Sequence, residues 1–208
     1  MTESRPHTMF VDAEKSPGIE QMLDRVVPWI LQSEQGYYCR LLEGHDPQMT
    51  IGRWLSTPDS EHSLQKMRLL IADDRIAGGF TGFSGRQLRR RRETDLVDLV
   101  RRSQDPRCSD LRRRLKDLMP LFGPVAPGDF YVSKFGISAA FDRSQLFEPL
   151  LVECLTRARR EGYTRLRIDV DDADEDLCSF LRRQGFETRH EGRAVDAGIT
   201  YLNMTRPV

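Results

Sequence analysis

The stretch that decides the fold runs DFYVSKFGIS (129–138), AAFDRS (139–144), QLFEPLLVECLTRARREG (145–162), YTRLRIDV (163–170) and, after a second helical run, LRRQGFE (181–187). The first and fourth segments are rich in aromatic and β-branched residues and read as strands. The third is an amphipathic helical run. The order is strand, short turn, helix, strand, helix, strand. It belongs to an α/β chain in which two strands are joined by a helical crossover.

Working outward, GITYLNMTRP (198–207) alternates apolar and polar residues and should close the sheet. Upstream, MRLLIADDRIAGGFTGFSG (67–85) places two β-favouring runs around Asp73-Asp74, which predicts a hairpin. Gly78, Gly79 and Gly82 in its second strand imply close backbone approach or a bulge. TMFVDA (8–13) suits a short strand. SPGIEQMLDRVVPWILQSEQG (16–36) predicts a helix capped by Ser16, started by Pro17, bent or interrupted at Pro28 and ended by Gly36. DPQMTIGRWLSTP (46–58) predicts a second, shorter helix.

Residues 86–127 depart from this pattern. Thr94 and Ser109 are placed as N-caps of two short amphipathic helices joined through SQDPRC (103–108). Pro120, Pro124 and Pro127 then stop helix before Asp129. The segment is too small to own a core, so it reads as an insertion packed on a single domain spanning 1–208.

Composition narrows the function classes. Of 208 residues 38% are hydrophobic and 31% charged, which suits a folded polar domain rather than a disordered chain. The formal net charge of +0 provides no global field for nucleic acid or membrane. No apolar run approaches the roughly 20 residues of a membrane span, and the first residues do not form a secretion signal. A cytoplasmic protein is expected. Cys39, Cys108, Cys154 and Cys178 are scattered without a CxxC or CxxH pair, so no zinc site is expected, and Cys154 and Cys178 read as buried thiols. DVDDADED (169–176) lacks the glycine and distal Glu of an EF-hand and reads as acids at a helix N-terminus. His7, His45, His62 and His190 lie in expected loops and receive no role.

These segments together resemble the GCN5-related N-acetyltransferases. IADDRIAGGF is similar to the family's second and third strands, DFYVSKFGIS to its fourth, GYTRLRIDV to its fifth, and FLRRQGF to the "LYxxxGF" that ends its fourth helix. The resemblance covers most of the chain and leaves out 86–127. It implies a mixed, twisted sheet flanked by helices, with a helical insertion between strands three and four. It also implies direct transfer of an acetyl or other acyl group from acetyl-CoA to the amine of a small molecule or peptide. In the family the fourth and fifth strands part and the pantetheine arm pairs with the freed backbone, which here belongs to Phe135, Gly136, Ile137 and Ser138. The pyrophosphate would sit at the following helix N-terminus, on Arg143, Ser144, Gln145, Leu146 and Phe147.

The chain departs from the family in two places. The usual turn is R/Q-x-x-G-x-G/A. Aligning Leu150-Leu151 with the family's paired leucines puts Arg143, Gln145 and Phe147 on the glycine positions. Pro149 places the helix start near Glu148, after a longer loop. The Tyr that often reprotonates the leaving thiolate is replaced by Leu181, which leaves Tyr131, Ser133 or Tyr201 to take that role. Asp129 is the nearest carboxylate for a general base, with a turn role as its alternative. Tyr37 and Tyr38 are expected to wall the acceptor site. The arginine-rich Arg86–Arg114 region, including Arg89–Arg92, suits a solvated face, a CoA phosphate, a carrier protein or an aminoacyl-tRNA. A carrier-fed acyltransferase and a non-catalytic domain of the same fold remain open beside the acetyl-CoA reading, as does a homodimer.

Overall fold

Asp73 and Asp74 both take left-handed backbone, at φ 48° and 59°, in the computed structural model of the chain. Two such residues in a row make the tight turn whose twist matches a β-hairpin. They join strand β2 (Met67–Ala72) to β3 (Arg75–Ser84), as the sequence predicts. The structure describes residues 7–15, 19–103 and 108–208. The expected cap at Ser16 and the first-turn Pro17 lie outside them.

The described elements are β1 (Thr8–Asp12), helices α1 (Ile19–Ser33), α2 (Gln35–Leu41) and α3 (Pro47–Ser56), then the hairpin. They continue with α4 (Gly85–Arg102), α5 (Ser109–Leu118), β4 (Asp129–Ile137), α6 (Arg143–Arg160), β5 (Arg165–Asp171), α7 (Glu175–Arg183), β6 (Glu187–Ala194) and β7 (Ile199–Pro207). The strands form one seven-stranded sheet in the order β1-β2-β3-β4-β5-β7-β6. Among the described strands only β4 and β5 run parallel, joined by the α6 crossover. The 199–207 strand does not lie at the edge: it sits between β5 and β6.

Each face of the sheet has its own core. On one face Phe80, Phe130, Val132, Leu166 and Ile168 pack beneath α6 and α7 through Leu150, Leu151, Leu177 and Leu181. On the other, Met67, Leu69 and Tyr201 pack beneath α1, α2, α3 and α5 through Ile30, Tyr38, Trp54 and Leu111. These are called the back and front faces below.

Four helix boundaries differ from the sequence reading. The first helix does not end at Gly36. It runs through Pro28, breaks at Glu34 and resumes as α2 with Gly36 inside. A Cβ at Gly36 would lie 3.4 Å from the Ile199 side chain, so α2 packs against the start of β7. Next, α4 is capped by Ser84, whose hydroxyl accepts from Gln87 N while the Gln87 side chain returns to Ser84 N. Thr94 lies mid-helix and its hydroxyl donates back to Arg90 O at 3.2 Å. Ser109 is the first residue of α5 and Cys108 holds the cap position. Finally, α6 starts at Arg143 rather than near Glu148, because Asp142 caps it; Pro149 is carried inside the helix. The strand β6, ETRHEGRA, has no counterpart in the sequence reading. Cys154 and Cys178 are buried, as expected.

Candidate active site

β4 and β5 pair only from Asp129–Val132 against Arg165–Ile168. Beyond that, β4 follows β3 to Ile137 while β5 follows β7 to Asp171. The two strands part at Ser133 and Asp169, and the backbone between them is left unpaired with its neighbour. Ser138 N donates to Ala77 O at 2.7 Å. Antiparallel alternation therefore turns the N–H and C=O of Ile137 away from β3, into the gap.

At the mouth of the gap β4 bulges. Its pairing shifts between Gly79 and Thr81 of β3, and Lys134 takes left-handed backbone at φ 57°. A bulge of this kind places two successive side chains on one face. Here Ser133 and Lys134 both reach the front, and Phe135 enters the back core.

The front side of the mouth is a connected polar network. Ser133 Oγ donates to Glu61 Oε1 at 2.7 Å. Lys134 Nζ donates to Glu34 Oε2 at 2.8 Å, lies 3.7 Å from Glu61 and sits 5.2 Å from the centre of the Tyr38 ring. Arg92 donates to Glu61 at 2.8 Å and to the Tyr131 hydroxyl at 2.8 Å. Tyr131 in turn donates to Asp169 Oδ2 at 3.0 Å, and Arg167 Nε donates to Asp169 Oδ1 at 2.8 Å. Burial alone would raise the Glu61 carboxyl. Arg92, Lys134 and His62 overcome that and hold it well below the usual carboxylate range.

A second chain joins this one. Tyr38 Oη and His62 Nε2 are 2.6 Å apart, and His62 Nδ1 is 3.0 Å from Asp95 Oδ2. An ionised carboxylate only accepts, so Nδ1 carries the proton that faces Asp95, and Nε2 faces the Tyr38 hydroxyl. All three residues are buried. His62 was given no role from sequence; it is the centre of this relay. Its partners lie 24 and 33 residues away, and no local spacing marks them.

Two buried donors near the mouth have no hydrogen-bond partner among the described residues: Trp29 Nε1 and Tyr201 Oη. A Cβ at Gly136 would lie 3.3 Å from Trp29 Nε1, which places that indole over the freed half of β4. Tyr201 stands opposite Asp171 in the β5–β7 ladder. Burial pushes the Asp171 carboxyl up, with Asp172, Asp174 and Glu34 adding to it against a bond from Ala173 N.

The residues singled out from sequence fall into three places. Tyr131 and Ser133 stand at the mouth, with Tyr38 beside them. Asp129 stands at the closed end of the β4–β5 pair, where Arg165 Nε donates to it at 2.6 Å and Ala126 N at 3.2 Å. The turn residues gather at the N-terminus of α6. There Ser144 N (3.0 Å), Ser144 Oγ (2.7 Å) and Gln145 Nε2 (3.0 Å) all donate to Asp142. Arg143 donates to Asp174, the N-cap of α7, and lies 5.0 Å from the centre of the Phe147 ring. Leu146 and Phe147 are buried, as is Leu181. Phe147 stacks between Phe135 of β4, at 6.2 Å, and Phe180 of α7, at 5.3 Å.

The Arg86–Arg114 region divides. Arg91 is buried, donating to the Pro58 and Ser60 carbonyls, and Arg114 is buried with a bond to Glu43 O. Arg92 belongs to the network. Arg86, Arg89, Arg90, Arg112 and Arg113 are exposed.

A split between two parallel strands, a bulge at its mouth and a crossover helix starting above it make a distinctive geometry. Among solved structures the chain is similar to an N-acetyltransferase from Staphylococcus aureus Mu50, with TM-score 0.70 and 12% identity over 95% of this chain and 100% of that one. The fold is that of the GCN5-related N-acetyltransferases. A second acetyltransferase structure matches with TM-score 0.65 and 13% identity over 96% and 99% of the two chains. The ribosomal-protein-S18-alanine N-acetyltransferase of Escherichia coli matches at 0.55 and 9% over 97% and 94%. No protein-family model matches the chain, and no curated protein matches it in sequence. The resemblance implies a CoA thioester entering the gap between β4 and β5, beside the helices that follow these two strands. Here those helices are α6 and α7, and the Phe135–Phe147–Phe180 stack and the Arg143–Asp174 pair bridge them. The side chains as they stand do not fit that group.

No helix among the described residues is long and apolar enough to cross a membrane. No group of three or more His, Cys, Asp or Glu side chains among them is arranged to hold a metal ion.

Proposed function

We propose that the chain is an acyltransferase that moves an acetyl or other acyl group from a thioester directly to an amine, at the mouth where β4 parts from β5. The parting itself carries the reading: it frees backbone donors and acceptors on the outer half of β4 beside a polar, carboxylate-rich front face. Freed N–H groups are suited to polarising a carbonyl laid along the strand. The front face suits the other reactant. Glu34 and Asp171 attract an ammonium, while Trp29 Nε1 and Tyr201 Oη provide buried donors whose bonds await a partner.

Asp171 is the group placed to take the amine's proton. It stands at the end of β5, is only half-buried, and its raised carboxyl binds a proton more readily than Glu61 does. The Tyr38–His62–Asp95 chain fixes the wall on which Lys134 rests. The donor is an acyl thioester, with acetyl-CoA the first to test.

Incubation with acetyl-CoA and a panel of amines, following released thiol and product mass, tests the proposal. Acylated product that depends on Asp171 supports it. Absence of both product and CoA binding, by titration calorimetry at millimolar donor, overturns it in favour of a non-catalytic domain of this fold. The aromatic stack between α6 and α7 favours that second reading.

A further inference from the structure

The strand β6 (Glu187–Ala194) ends the sheet: it pairs with β7 on one side, and no described strand lies on the other. In an antiparallel pair alternate residues turn their N–H and C=O away from the neighbour, so β6 presents a row of backbone groups to its outer side. No backbone hydrogen bond among the described residues answers them. The register with β7 shifts between Thr188 and His190, a bulge that twists the first part of the strand away. The segment His190–Ala194 beyond it pairs without a break.

The two faces of this segment differ. Gly192 stands opposite Tyr201 of the front core, and a Cβ there would lie 2.2 Å from Pro120 O, so residues 119–121 cover its front. Glu191 and Arg193 alternate with it and share the back face. Two Arg193 nitrogens donate to Glu191 Oε1, at 2.9 and 2.6 Å, and both side chains stand in solvent. The two most exposed large apolar side chains among the described residues are close by. Val195, 82% exposed, follows Ala194, and Met119, 65% exposed, belongs to the segment that covers Gly192.

We propose that β6 pairs antiparallel with β6 of a second copy of this chain, about a two-fold axis at Gly192. Gly192 then stands opposite the partner's Gly192, Glu191 opposite the partner's Arg193, and Arg193 opposite the partner's Glu191. Side chains directly opposed in this way lie about 5 Å apart at Cβ, within reach of an ion pair. Moving the axis one residue back sets Glu191 against the partner's Glu191. Moving it one residue on sets Arg193 against the partner's Arg193. Both shifts oppose like charges and are unfavourable. The charges that guard this edge against other strands therefore select a single register with its own copy. The pairing also brings Val195 of each copy alongside the partner's strand. It is independent of the chemistry at the mouth of the gap.

Sedimentation velocity of the full chain, from micromolar to near-millimolar concentration, is expected to show a dimer of modest affinity, the class that a short interface makes. Amide exchange within His190–Ala194 should slow as concentration rises. Glu191→Arg and Arg193→Glu each oppose like charges, and the two-fold makes each change twice, so dimerisation should weaken about tenfold in either. Mixed in equal amounts, E191R and R193E should associate again, because each strand then faces the opposite charge. E187R makes the same charge change before the bulge, outside the paired segment, and should leave the dimer as it is. All three positions are exposed, so each variant should keep wild-type melting. A chain that stays monomeric at every concentration overturns the proposal and leaves the edge to a strand of another protein. A dimer that E191R and R193E leave intact overturns it too, since another surface then makes the contact. Equal weakening by E187R, E191R and R193E overturns it as a general charge effect. Failure of the mixed variants to associate overturns the register, and the two-fold pairing with it.

Discussion

Lys134 Nζ donates to Glu34 Oε2 at 2.8 Å, which ties the bulge of β4 to the break between α1 and α2. Both ends of this contact are irregular backbone. The ion pair therefore holds together the two places where the chain leaves regular structure at the mouth of the gap. Lys134 is 4% exposed, so its charge is one the fold must neutralise.

Replacing Lys134 by Met leaves Glu34 and buried Glu61 without their shared cation. The expected loss is about 3 kcal/mol, the usual scale for removing one partner of a buried pair. The double variant K134M/E34Q should lose less than the sum of the two single changes, because the two sites are in contact. Urea unfolding of the four proteins checks this, and strict additivity would count against the pairing.

Two carboxyls respond to pH with opposite signs. Asp171 holds its proton more firmly folded than unfolded, so its contribution to stability falls as pH rises from about 4 through its raised value. D171N, relieved of that penalty, is expected to melt higher than wild type at pH 7, with the gap closing below about pH 4. Glu61 is depressed, so its contribution is present above about pH 4.3 and is lost as pH falls further. E61Q should be less stable than wild type at pH 7 and change less between pH 5 and 3. Melting curves across pH 3–8 read both, and a D171N that melts lower than wild type at neutral pH refutes the assignment.

The arginine run of α4 divides by what each residue touches. Arg89 pairs with Glu93 and Arg90 with Asp59 in solvent. R89Q/R90Q should shift stability by no more than about 0.5 kcal/mol. R92Q removes the main counter-charge of Glu61 and should cost about 3 kcal/mol. A carrier-protein or tRNA interaction is therefore tested with Arg86, Arg89 and Arg90, whose removal leaves the site intact. Unchanged use of a carrier-bound donor by that variant would remove the reason for proposing the interaction.

Phe147 is held on both sides by aromatic rings. F147A should lose about 3–5 kcal/mol by denaturant unfolding, while F147L should lose about 1 kcal/mol. A small loss for F147A would mean that the space collapses and that the stack is not a fixed plug.

The order of strands and helices from Asp129 to Phe186 was legible because the apolar periods are strong there and the crossover leaves few topologies. Placing Phe147 on a glycine position of the turn was informative. The sequence could not say that the side chain turns inward, since that depends on Phe180, more than thirty residues later. The start of α4 had a usable signal in Ser84 followed three residues on by Gln87, a capping box overlooked beside Thr94. β6 was hidden because an exposed edge strand has no apolar face to alternate, and Glu187 through Glu191 are all exposed. Lys134 was the clearest missed sign. A lone lysine amid FYVS and FGI is costly unless something distant pairs with it, and the partners Glu34 and Glu61 lie 100 and 73 residues away.

The place of Ile199–Pro207 between β5 and β6 has a consequence for how the sheet is assembled. Both neighbours precede it in the chain, so neither can complete its hydrogen bonding on that side until this strand arrives. β5 waits as an open edge and β6 as an unpaired segment, and open edges invite association with other chains. The step that closes the sheet therefore joins segments made at different times. That marks the interval before β7 docks as the one in which a folding chain most needs protection.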